Sequence, residues 1–97
     1  MEGLELRAFR GTRRSSTYRA HTVPADRAAR LRALASTLGA EAELDKRAAR
    51  QLADELTAFR ANGVALDLDD DLTALAEVAN WCARARGRAW LQIRPVE

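Results

Sequence analysis

The chain has one cysteine, one histidine, one lysine and two prolines in 97 residues, and no long apolar run. A lone Cys82 excludes an internal disulfide. Cys82 and His21 are too few to make a zinc site by themselves. No stretch approaches the roughly 20 apolar residues needed to cross a membrane. Glu2, Glu5 and Arg7 interrupt any leader-like segment at the start. A reducing cytoplasm is the expected setting, without membrane contact. The five glycines form no phosphate-binding loop, dinucleotide pattern or nucleophile elbow. Asp67, Asp69 and Asp71 match the start of a calcium loop, but Leu72 and Val78 stand where it needs Gly and Glu. Helix capping accounts for these acids better. No catalytic residue, cofactor or metal is therefore expected, and an enzyme is disfavoured.

What is there is mostly Ala, Leu and Arg. Ala supplies 21 residues, and aromatics only five. The expected core is Leu and Ala between closely packed elements. Fifteen of the sixteen cations are Arg, which fits a GC-rich genome as well as a function. Charge is uneven along the chain. Residues 1–40 carry a net +5, residues 41–77 a net −6, and residues 78–97 a net +3. The molecule is dipolar rather than basic, so a nucleic-acid partner is allowed but not demanded.

Periodicity gives the elements. Leu4, Leu6 and Ala8 alternate with Glu5, Arg7 and Phe9, a half-buried strand. Thr17 to Thr22 alternates again after a Gly11–Ser16 loop, with Tyr18 and Ala20 on one side and Arg19 and His21 on the other. The pair reads as a hairpin. Leu31, Leu34, Ala35 and Leu38 make a helical stripe after Pro24, stopped by Gly39. A second helix runs from about Leu44 to Asn62, with Asp45 as its cap and Gly63 as its end. Val64, Leu66 and Leu68 predict a short strand. Asp69, Asp70 and Asp71 then start a third helix, whose apolar face is Leu72, Leu75, Ala76, Ala79 and Cys82. The last strand spans Ala89 to Ile93. The expected fold is a single α+β domain over 1–97, frayed at 1–3 and 95–97. It is a two-layer sandwich in the order ββααβαβ, a small mixed sheet with three helices on one face and a right-handed strand–helix–strand ending.

If helices cover one face of that sheet, the other strand phase is open. Its expected members are Arg7, Phe9, Arg19, His21, Trp90, Gln92 and Arg94, with Asp67 beside them. Aromatic and Arg side chains on a flat face suit a protein interface or base stacking with phosphate contacts. Arg10, Arg13 and Arg14 form a second candidate at the hairpin tip, where guanidinium forks can grip oxyanions. The leading expectation is a small binding or regulatory domain whose partner is a protein, of inhibitor style or a second copy of itself. The alternative is RNA or single-stranded nucleic acid, held by the hairpin arginines and the aromatic face. Helix-turn-helix binding to DNA is disfavoured, because the second helix starts among Glu41, Glu43 and Asp45.

Overall fold

A computed structural model describes residues 2–12 and 14–96 of the chain. The described strands form one sheet, β1 (Gly3–Gly11), β2 (Ser16–Val23), β3 (Ala42–Leu44) and β4 (Ala89–Val96). The helices are α1 (Ala25–Leu34), α2 (Lys46–Ala61) and α3 (Asp69–Ala83). The spatial order is β2-β1-β4-β3, and every pairing is antiparallel. The α+β architecture and its three helices agree with the periodicity.

The mixed sheet and the ββααβαβ order do not hold, and one segment explains both. Residues 64–68 form no strand. They make a turn and a short 3-10 helix over Leu66–Leu68. Only Leu68 is buried there, while Leu66 is 79 % exposed. The alternation of Val64, Leu66 and Leu68 reflects one anchor and two apolar residues left in solvent. The fourth strand is instead Ala42–Leu44, inside the segment expected to link the first two helices. It pairs with β4 through Ala42–Ile93 and Leu44–Leu91. Without a strand at 64–68, the right-handed parallel crossover disappears, and α2 and α3 instead pack on each other. At the chain ends, where fraying was expected, Gly3 pairs with Val96.

The core lies on one side of the sheet. Leu4, Leu6, Leu91 and Ile93 from the strands meet Leu31 and Leu38, then Leu52, Leu56, Leu72 and Leu75 from the helical layer, all fully buried. Each such side chain contributes about 1.5–3 kcal/mol on leaving water. Caps fix where α2 begins and ends. The Asp45 carboxylate accepts from the Ala48 N–H at 2.8 Å and opens α2. Gly63 closes it in the left-handed region at φ +62°. Gly63 donates to the Arg60 carbonyl and Val64 to that of Phe59, a Schellman closure. Helix α1 stops at Leu34, short of Gly39, and a 3-10 turn over Ser36–Gly39 carries Leu38 into the core.

The acids at the start of α3 are not caps. No side-chain cap bond forms there. They pair with arginines from other elements instead. Asp69 accepts from Arg60 at 2.9 Å, and Arg30 donates to both oxygens of Asp67. Asp71 is buried and accepts from Arg27 Nε at 2.7 Å. His21 Nε2 lies 3.2 Å from its other oxygen. Asp71 thus ties β2, α1 and α3 together.

Candidate functional site

The face of the sheet away from the core carries no helix. Register decides what it shows. On β1 and β4, Arg7 lies opposite Gln92, Phe9 opposite Trp90 and Glu5 opposite Arg94. These residues alternate with buried Leu4, Leu6, Leu91 and Ile93, so they share the open face. Five of the seven expected face residues are therefore together: Arg7, Phe9, Trp90, Gln92 and Arg94.

Arg19 and His21 are not with them. His21 pairs with Leu6 and Arg19 with Ala8, so both point to the helix side. Tyr18, Ala20 and Thr22 take their places, opposite Phe9, Arg7 and Glu5. The reason is position. β2 is an edge strand reaching beyond the helical layer, and only Val23 at its end is buried. Its polar phase can face the helices at little cost because little covers it. Asp67 is absent from the face as well, since it belongs to the 3-10 turn.

The open face then has two zones. Nearest the hairpin loop, Tyr18, Phe9 and Trp90 make a row across β2, β1 and β4. Phe9 and Trp90 have centroids 5.1 Å apart and planes 13° from parallel, so they stack on each other. Tyr18 leans toward Phe9 at 6.0 Å and 35°, and is itself 64 % exposed. Two flat rings lying side by side on the sheet could not bring their centroids this close. The three rings form a ridge across the strands, with Phe9 and Trp90 spending a face on each other.

The second zone is ionic. Glu5 lies between Arg7 Nε at 2.7 Å and Arg94 Nε at 3.7 Å. Its side chain is only 13 % exposed although no helix covers it, so the arginine stems form its cover. The Arg7 Nε and Glu5 Oε1 atoms are sealed from solvent but not aligned as a hydrogen bond. This contact is an ion pair rather than a directed bond.

The hairpin arginines divide. Arg13 lies outside the described residues. Arg14 is exposed in the loop. Arg10 points to the helix side, where Nε and Nη2 both donate to the Trp81 carbonyl, the first at 2.9 Å. That carbonyl is in the last turn of α3 and has no partner further along the helix. Arg10 is thus a clamp between β1 and α3 rather than part of a free tip. Its guanidinium also lies 4.2 Å from the Trp81 indole centroid, and that of Arg19 lies 5.5 Å away.

Trp81 is the residue that sequence reasoning missed. It falls outside the apolar stripe of α3, with Arg84 three residues on, and that displacement was its signal. Among the described residues, no group of three His, Cys, Asp or Glu could hold a metal ion. No described helix is long and apolar enough to cross a membrane. Burial pushes the Cys82 thiol above its ordinary range. Together these features define a two-layer α+β domain with an open, aromatic-ridged sheet face. Comparisons with protein-family models, with curated proteins and with solved structures find no match.

Proposed function

We propose that this chain is a small non-catalytic binding domain that docks a protein partner on the open face of its sheet. The observation that carries the reading is the row of Tyr18, Phe9 and Trp90 in ring–ring contact on the open face. A ridge of stacked rings fits an apolar groove on a partner, and aromatic and Arg anchors of this kind dominate interface energetics. The Arg7–Glu5–Arg94 zone beside it supplies a charged rim that sets orientation. His21 is held by Asp71, itself already paired with Arg27, an arrangement that fits a structural role. A free, buried Cys82 fits a reducing cytoplasm.

Site-specific photo-crosslinking from Ala20 and Gln92, in cells expressing the chain, tests this. Both positions lie on the open face without being part of the ridge. The expected result is one dominant crosslinked protein, lost on Phe9→Ala or Trp90→Ala. A crosslink to a second copy of the chain identifies a homodimer. Absence of a specific adduct from either position overturns the reading.

A second reading is single-stranded nucleic acid, and one observation favours it. Arg84, Arg86 and Arg88 follow closely on the end of α3, and the Arg88 carbonyl accepts from the Gly11 N–H at the base of the hairpin. Neither they nor Arg14 of the hairpin loop have an ion-pair partner among the described residues. This reading requires anisotropy of a labelled oligonucleotide to fall steeply with salt. It also requires Trp90→Ala to cost about 1–3 kcal/mol of binding. Flat titrations remove it.

A further inference from the structure

We infer that the groove between the overhanging hairpin and α3 is an oxyanion site for a phosphate dianion, free or carried as a phosphomonoester. The groove lies on the helix side of the sheet, behind the aromatic ridge, and does not depend on the docking reading above. It is an open groove of about 440 Å³, lined by Arg10, Arg19, Glu77, Asn80, Trp81 and Arg84.

Three features make it a site rather than a crevice. The first is convergence. Arg10 comes from β1, Arg19 from β2 and Arg84 from the residue that follows α3, so arginines from three parts of the fold line one space. The planar forks of Arg19 and Arg84, which make no hydrogen bond among the described residues, can bind phosphate oxygens in pairs, while Arg10, whose Nε and Nη2 serve the Trp81 carbonyl, offers Nη1. The second is preorganisation. Arg10 is fixed by two donations to the Trp81 carbonyl and by the indole face, while Arg19 approaches the same ring. A guanidinium already held in place loses little freedom when it takes a ligand. The third is the absence of neutralisation. Among the described residues, Arg10, Arg19 and Arg84 have no carboxylate at ion-pairing distance. Glu77 is the one acid in the lining, which leaves a net charge of +2 in the groove. Elsewhere in the molecule Arg27, Arg30 and Arg60 each meet an aspartate.

Glu77 sharpens the test, because it opposes an anion that the arginines attract. The experiment uses Trp90→Phe protein, in which Trp81 is the only indole. Its fluorescence is followed while inorganic phosphate or glycerol phosphate is added at an ionic strength held constant with chloride. The expected result is a saturable change with one or both ligands, and the tighter of the two identifies the source. Arg19→Gln and Arg84→Gln, both exposed positions, should each weaken binding about tenfold, the loss of one charge-assisted contact. Glu77→Gln should strengthen it, which a merely structural role for these side chains does not predict. The inference is overturned if neither ligand gives a saturable signal. It is equally overturned if chloride alone reproduces the signal, or if the arginine and Glu77 variants bind like the parent.

Discussion

The two ends of α3 treat arginine in opposite ways. Where the helix begins, Asp67, Asp69 and Asp71 each hold a guanidinium from another element. Where it ends, Arg84 and, just beyond it, Arg86 and Arg88 are exposed and have no such partner among the described residues. The arrangement follows the helix dipole, with acids at the positive end and cations at the negative end. It also separates two uses of one residue type. Arginine at the first end joins elements together. At the second end it leaves charge facing outward, where a ligand or partner can take it. A composition-level excuse for the Arg content, a GC-rich genome, does not by itself produce that separation.

The strongest way to break this comparison is at Asp71. Its side chain is 8 % exposed and serves both Arg27 and His21, which themselves reach solvent. Asp71→Ala removes the shared acceptor but lets both partners turn to water. The cost should therefore be about 2 kcal/mol, below that of breaking a fully buried pair. Urea unfolding should show a lower midpoint with an unchanged slope. The double variant Arg84→Gln, Arg88→Gln should change the unfolding free energy by less than about 0.5 kcal/mol. Equal losses at the two ends would show that the outward arginines are structural after all.

A smaller effect sharpens the contrast at the arginine end itself. Asp45 lies near that end, where Lys46 donates to the carbonyls of Ala85 and Gly87. Its carboxylate is spent on the Ala48 N–H rather than on a guanidinium. Asp45→Ala should cost about 1 kcal/mol, and Asp45→Ser should restore most of it. If Ser fails where Asp succeeds, the charge of Asp45 matters to the neighbouring cations and the end is less free than its geometry shows. Thermal unfolding of the three proteins decides this.

These local roles were unequally legible in the sequence. Asp45 as a cap could be read directly, because an acid before an apolar helical stripe has one common use. β1 and β4 could be read because each has a buried phase that alternates with a polar one. β2 kept the alternation but lost its meaning. At an edge beyond the helices both phases are wet, so Tyr18 and Ala20 looked like the inward side although they face out. β3 is three residues long and gave no periodic signal at all. The strand expected at 64–68 failed for the reverse reason, since exposed Val64 and Leu66 mimicked a buried phase. Asp71 was seen as an acid at a helix start, which is right locally. Its partners are 50 and 44 residues away in sequence, and nothing local announces them. The expected placement on the open side therefore holds for the residues of the two central strands and fails for Arg19 and His21 on the edge strand.

The smallest predicted effect concerns Arg30 and Asp67, the most exposed of the pairs. The hydrogen bond from Arg30 holds the Asp67 carboxyl below its ordinary range, and Asp67 in turn holds Arg30 above its own. A folded-state pKa that lies below the unfolded one means stability that is present above the unfolded pKa and lost as pH falls through the folded one. For a carboxylate that window opens at about pH 4 and runs downward. Asp67→Asn should therefore lower the urea midpoint slightly at neutral pH, since water screens a pair this exposed. The difference from the parent should shrink below about pH 4, where the parent's own carboxylate takes up a proton. Arg88→Gln, with no carboxylate at ion-pairing distance among the described residues, should track the parent across the same range. A pH-dependent gap for Arg88→Gln as large as that for Asp67→Asn would mean that the arginine end has an acidic partner within the chain, and its outward charge would then be as much a part of the fold as the charge at the other end.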